Sequence, residues 1–353
     1  ETDANAHDRT AAVSAAVLRV MLLPLIRFLA EGVFASSLAG RAIASVAGAR
    51  GAIFFLHRFD CFPGQEAGHD VASVRAILDA VRRVGIDIVS VDEAVRLATG
   101  GPADPRTRPF VAFSVDDCYW DFTAIALPVF QEFDAPVTGF VCPGLLEQND
   151  WFWWDKLWYL TSRARRSASL EVAGIQFRVH PLSAAEGVEA LNRLREGLKT
   201  ISHDQRLRAV ASLAIELDIE LPASPPDEFK LASFETLRAA ESPLVRFGAH
   251  TMTHPVLATC SDADARWQIE ESIRRIREAF VAPSNVFCYP NGTPVDFGPR
   301  EMHILDGCDV MGAVTTLSGG LLPGSHARAR HAVPRFAIGE EAPFAVRRIL
   351  LGR

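Results

Sequence analysis

From residue 51 onward the chain alternates short apolar runs with segments whose apolar residues recur at helical spacing. No other feature limits the fold as much, because this alternation is the mark of βα units laid into a parallel sheet. The runs are Ala52–Leu56, Ile86–Val91, Phe110–Val115, Val137–Val141, Val245–Gly248, Asn285–Tyr289, Val310–Val314 and Ala332–Ala337. Between them Val74, Ile77, Leu78 and Val81 recur at i, i+3, i+4 and i+7, and Gly85 follows as a stop. Ile269, Ile273, Ile276 and Phe280 repeat similarly, opened by Ser261 with Asp264 three residues on. Seven or eight parallel strands predict an α/β fold closed into a barrel, complete or irregular, with an open doubly wound sheet as the alternative.

Residues 150–235 break the rhythm, with no convincing buried strand except a short candidate at 174–180. Val188, Leu191, Leu194 and Leu198 share a helix face there, preceded by Ser183 and Glu186 at capping-box spacing. The stretch is therefore expected to be a helical insertion between the fourth and fifth strands. It opens on Trp151, Phe152, Trp153, Trp154, Trp158 and Tyr159, rings that either pin the insertion to the body or face a sugar. Residues 1–50 form a separate N-terminal segment, expected to be helical, and 339–353 a C-terminal helix or tail. Within 11–47 the apolar residues are interrupted by Arg19, Pro24, Arg27, Glu31 and Arg41. That pattern is too broken for a membrane span or a cleavable signal, which leaves helices packing on the body or lying at a membrane surface.

Composition removes some function classes. Of 353 residues 49% are hydrophobic, enough to build a core and to exclude disorder as the dominant state. The net charge of −7, without long Lys/Arg tracts, argues against a nucleic-acid partner. Six cysteines contain no Cys-x-x-Cys pair, so no thiolate zinc site is written, and they are expected to be small core residues.

Polar residues collect at the carboxyl ends of the runs. The first run ends in His57-Arg58, the third in Asp116-Asp117, the fifth near His250 with His254 four residues on, and the sixth in Tyr289-Pro290-Asn291-Gly292. In a parallel barrel these ends meet on one face, where barrel enzymes keep their chemistry. Neighbouring strand residues point to opposite sides, so Asp116 and Asp117 share a pocket only if the strand stops there and the chain turns. His250-x-x-x-His254 has the ligand spacing of a helical turn, without the glutamate of His-Glu-x-x-His. With a carboxylate from Asp117 it would offer two imidazole nitrogens and one oxygen, a set suited to a catalytic divalent ion.

These residues resemble the polysaccharide deacetylase family, the NodB-homology group of carbohydrate esterases. Ser114-Val115-Asp116-Asp117-Cys118 is similar to its Thr/Ser-Phe-Asp-Asp-Gly motif, and His250-Thr251-Met252-Thr253-His254 followed by Pro255 to its His-Ser/Thr-x-x-His motif. Phe287-Cys288-Tyr289-Pro290-Asn291-Gly292 is similar to the third motif of one branch. Leu56-His57-Arg58, Phe152-Trp153-Trp154-Asp155 and Pro334-Arg335 look like further features of that branch. The likeness runs in order from about residue 50 to 338.

The resemblance implies a metal-dependent deacetylase, a distorted (β/α) barrel over 51–338, acting on an N-acetylated carbohydrate. It implies that Asp117, His250 and His254 hold a divalent metal, usually Zn2+, and that Asp116 is the general base. An oxyanion would lie against a backbone N–H in the Tyr289-Pro290-Asn291 turn, most naturally that of Asn291, and Trp154 would contact substrate. For the group that protonates the departing amine, His331 is the positional candidate for the family's C-terminal histidine, and His57 is the other. Two departures stand out: Cys118 replaces glycine, and Cys288 replaces the arginine that often orients the base. Other amides or esters, such as a formamido or O-acetyl sugar, and a catalytically silent carbohydrate-binding module are the competing readings. A glycosidase is disfavoured, since adjacent aspartates do not readily flank a bond at the required spacing of about 5–9 Å. The bacterial cytoplasm or the membrane periphery is the expected compartment.

Overall fold

Every one of the eight apolar runs holds a strand: β1 (Gly51–Leu56), β2 (Asp87–Ile88), β3 (Phe110–Val115), β4 (Val137–Val141), β7 (Val245–Ala249), β8 (Val286–Cys288), β9 (Gly312–Val314) and β10 (Phe336–Ala337). The structure is a computed structural model that describes residues 51–59, 68–83, 85–100 and 109–338. The expectations for 1–50 and 339–353 lie outside the described residues.

The main sheet runs β10-β1-β3-β4-β7, all parallel, with β2 also paired to β3. β1 lies along the whole of one edge of β3; β2 pairs with its first residues, Phe110 and Val111, and β4 with its last, Phe113–Val115. β8 and β9 form a separate parallel pair. Helices cover the sheet, which explains why β3 and β4 are buried at every residue and why the runs are almost continuously apolar.

Several strands are shorter than their runs, each for a local reason. β2 stops at Ile88 because Ser90 caps a helix, its side chain accepting from the Glu93 N–H at 3.1 Å, so Val91 is already helical. Pro334 has no N–H for a ladder, and β10 begins only after it. The helix α1 (Val71–Arg83) buries the expected Val74, Ile77, Leu78 and Val81. The helix α2 (Val91–Thr99) follows β2. A π-helical turn (Phe122–Ala126) leads into α3 (Leu127–Glu132), and α4 (Pro143–Gln148) follows β4.

The insertion is not wholly helical. It contains α5 (Trp153–Arg163), an antiparallel hairpin of β5 (Ala168–Val172) and β6 (Ile175–Val179), then α6 (Gly187–Lys199) and α7 (His203–Leu217). Ala173 and Gly174 both have positive φ, 51° and 79°, as a two-residue hairpin turn requires. Its own core joins Leu157, Leu160, Leu170, Leu191, Leu194 and Leu198. The capping box expected at Ser183 does not form: Glu186 occupies the N-cap position without a side-chain bond, and Val188 is half exposed. The chain returns through α8 (Phe234–Ala240) to β7, then α9 (Asp262–Ala279), capped by Ser261 as expected, and α10 (Pro299–Asp306). Among the described residues no helix is long and apolar enough to cross a membrane.

Candidate active site

The carboxyl ends of β1, β3, β7 and β8 open on one cavity of about 540 Å3, into which His57, Asp116, Asp117, His250, His254 and Asn291 project. The parallel register brings these ends level. The Asp116 N–H still donates to Leu56 O at 2.9 Å, one step beyond the β1–β3 ladder, and there the chain turns. Asp117 and Cys118 adopt left-handed backbone, φ 68° and 47°, which lets adjacent carboxylates enter the same space. Both aspartates are buried.

Cys118 stands where a glycine would be easier, and its side chain is accommodated on the far side. A Cβ added to Gly139 of β4 would lie 2.7 Å from the Cys118 sulfur and 2.9 Å from the Phe247 ring. The missing side chain of Gly139 therefore makes the room that Cys118 fills.

His250 and His254 are on a loop, not in the helical turn their spacing suggested: Thr251 and His254 have φ of 64° and 56°. The Thr251 hydroxyl accepts from the His254 N–H at 3.1 Å. Gln268 of α9 accepts from the N–H groups of Met252 and Thr253 at 2.9 and 3.0 Å and donates to the Thr253 hydroxyl at 2.8 Å. Gln268 has no sequence signature that would have marked it.

The loop points both imidazoles at Asp117, whose Oδ1 lies 3.6 Å from His250 Nε2 and 3.5 Å from His254 Nε2. One donor atom from each of the three falls within 4.8 Å of the others. His250 Nδ1 bonds the Cys288 carbonyl at 2.8 Å, which fixes the ring and turns Nε2 to the cavity. Burial pushes the His250 pKa down to about 4 and, with His250 beside it, pushes that of His254 well down, so both rings present lone pairs. Burial, then the nearby Asp116 and Asp155, raises Asp117 well above the usual carboxylate range. Asp117 Oδ1 is buried without a hydrogen-bond partner among the described residues. A buried, unpartnered carboxylate oxygen facing two neutral imidazoles fits a divalent cation.

Asp116 is held differently. Arg335, just before β10, is fully buried and grips both carboxylate oxygens, Nη1 to Oδ1 at 2.7 Å and Nη2 to Oδ2 at 2.8 Å. It also donates to the Ser114 hydroxyl at 2.8 Å, the Thr315 carbonyl at 2.9 Å and the Cys288 sulfur at 3.2 Å. Burial alone would raise the Asp116 pKa, but the guanidinium outweighs it and holds the group well below its ordinary value. Cys288 thus leaves room on β8, and the arginine arrives from another strand.

Comparison with known proteins agrees with this arrangement. Residues 232–297, which carry the histidine pair and the Tyr-Pro-Asn-Gly turn, match the family model described as polysaccharide deacetylase. The resemblance to the polysaccharide deacetylases holds. The chain is similar in fold to Streptococcus pyogenes deacetylase PplD in complex with acetate (TM-score 0.55, 14% identity, covering 86% of this chain and 99% of that one). It is also similar to IcaB from Ammonifex degensii (TM-score 0.52, 15% identity, 85% and 96% covered). A third is a de-N-acetylase from Aggregatibacter actinomycetemcomitans (TM-score 0.51, 12% identity, 85% and 99% covered). At such identities the likeness to these structures is one of fold. No curated protein sequence matches the chain.

Within this deacetylase fold the remaining expected site residues separate. His57 lines the cavity, with its Nε2 4.0 Å from Asp116 Oδ2 and its side chain 45% exposed. His331 is not brought there: it bonds Asp306 at the end of α10 at 3.0 Å. The Tyr289 ring is buried and stacked on Phe297, centroids 3.9 Å apart, and Pro290 is buried too, so Asn291 is the residue of that turn that reaches the cavity. Asn291 and Gly292 have φ of 56° and 69°, and Thr316 ties the turn through its hydroxyl to Asn291 O and its N–H to Gly292 O at 3.1 Å. Trp154 stands edge-on to His254, centroids 4.7 Å apart, and donates from Nε1 to the Tyr119 oxygen at 3.1 Å. Tyr119 in turn donates to Asp155 at 2.6 Å and lies under the Arg58 guanidinium, 3.8 Å from its ring centroid. Tyr119 and the α6 residues of the cavity wall were not foreseen from sequence.

Proposed function

We propose that this chain is a metal-dependent hydrolase that removes N-acetyl groups from an amino-sugar glycan or glycan intermediate. The observation that carries the proposal is the convergence of Asp117, His250 and His254 beside an Asp116 locked by Arg335. The deacetylase family match and the fold likeness, including a relative solved in complex with acetate, support it. We also take residues 51–338 as one catalytic unit bearing the insertion at about 150–235, and its sheet as a distorted barrel. The Ser284 N–H bonded to Phe247 O at 2.8 Å, and a parallel bridge between Val314 and Val333, support linking β7 to β8 and β9 toward β10.

In this proposal Asp117, His250 and His254 hold the cation, most naturally Zn2+. A bound divalent ion supplies an ionisable water near neutral pH and offsets charge on the carbonyl oxygen. Asp116 accepts the proton of the attacking water at a carboxylate oxygen, and Arg335 keeps that carboxylate ionised and oriented toward it. The Asn291 backbone N–H, displayed by its left-handed turn, donates to the oxyanion. The half-exposed His57 delivers a proton to the departing amine. Trp154 packs the wall beside His254 and helps exclude water.

The test is acetate release from N-acetylated glycan fragments, with metal content measured on the same samples. Asp116→Asn should abolish turnover and keep the metal, whereas His250→Ala should lose both. An Asp116→Asn chain with near-normal rate would refute the assignment of the base.

A further inference from the structure

We infer that the insertion builds a second sugar site beside the reacting one, so that the substrate is a glycan of two or more residues and not a single amino sugar. The inference rests on the deacetylase proposal for its chemistry, but its residues are different. Asn192, Arg195, Glu196 and Lys199 of α6 all line the cavity, and their spacing of i, i+3, i+4 and i+7 makes them one stripe of that helix. α5, packed against α6, brings Trp154 and Trp158 to the same cavity one helical turn apart.

The two tryptophans have different settings. The Trp154 ring stacks on Phe152, centroids 4.3 Å apart, and meets His254 at its edge, so it belongs to the reacting centre. Trp158 is half-buried one turn along, beside the polar stripe of α6. An aromatic ring next to amide, guanidinium, carboxylate and ammonium groups suits a pyranose, whose C–H faces lie on the ring while its hydroxyls meet the polar groups. The cavity volume of about 540 Å3 falls inside the range of roughly 300–1,000 Å3 that encloses a drug-sized ligand, the size of a disaccharide.

The wall is also fixed in place. Arg206 of α7 is fully buried, donating to Leu198 O at 2.9 Å and Ile201 O at 3.0 Å at the end of α6. Its guanidinium carbon sits 5.1 Å from the Trp153 ring centroid at the start of α5. Nη1 is buried without a hydrogen-bond partner among the described residues. Burying a guanidinium against carbonyls is costly, and an apolar side chain would join the two helices with less penalty. Arg206 sets the spacing of α5 and α6, and that spacing defines the proposed site.

The test uses the full chain loaded with zinc and N-acetylated glucosamine and galactosamine oligomers of one to four residues. Calorimetric titration measures affinity, and acetate release is followed in parallel. For at least one series, the dimer or trimer should bind about tenfold or more tightly than the monomer, and Trp158→Ala should reduce that ratio to about twofold or less. Trp158→Phe should keep most of the ratio, and Arg206→Met should lower it; melting curves establish that each variant is folded. Equal affinity for monomer and trimer, no binding of any oligomer, or a folded Trp158→Ala chain with an undiminished ratio would overturn the inference. Length-dependent binding without acetate release would overturn the deacetylase proposal and leave this inference standing.

Discussion

Asp116 and Asp117 are adjacent, equally buried, and pushed in opposite directions, one by a guanidinium and the other by confinement beside carboxylates. That divergence is what a base and a cation ligand at one site require. Arg335 is the residue on which the difference depends. Arg335→Met would leave Asp116 buried without its counter-charge, and urea unfolding should show a loss of about 3–5 kcal/mol. Arg335→Lys retains the charge but loses the two-pronged grip, so it should keep more stability than the methionine variant while acetate release still falls well below wild type. Sequence alone could expose the aspartate pair, since it follows a buried run, but not the partner of Asp116. Arg335 lies 219 positions away, and no local pattern predicts which carboxylate a distant arginine will meet.

At the scale of elements, the strands could be found because a parallel strand covered on both faces must be apolar along its length. Their ends were less legible where a cap or a proline intervened, as at Ser90 and Pro334. The β5–β6 hairpin escaped because its strands alternate buried and exposed residues over only five positions, with Ser169 and Glu171 facing out. The His250–His254 segment misled for another reason: four-residue spacing suits a helical turn, but Thr251 and His254 turn left-handed and α9 holds the loop from outside. Gln268 supplies that hold through three hydrogen bonds. Gln268→Leu should therefore weaken zinc binding by about tenfold, measured by competition with a chromogenic chelator, with the circular dichroism spectrum unchanged.

For the whole molecule, the barrel side supplies the reacting groups and the insertion supplies much of the cavity wall. Sequence showed where the insertion begins and that its aromatic residues were notable, but not that α6 would face the site, because helix periodicity marks the buried face of a helix and leaves its polar face unassigned. A cation held by Asp117, His250 and His254 binds the folded chain alone, and at a hundredfold excess over its dissociation constant should add about 2.7 kcal/mol of stability. Zinc should accordingly raise the melting temperature of the wild type, and Asp117→Asn should abolish that rise.

The most direct measurement is acetate release by the chelator-stripped chain before and after zinc is restored, with bound metal counted at each step. We predict negligible release when stripped and recovery on binding one equivalent of zinc in the wild type, with neither uptake nor recovery in His250→Ala. Full activity in the verified metal-free wild type, or normal zinc uptake and activity in His250→Ala, would contradict the account.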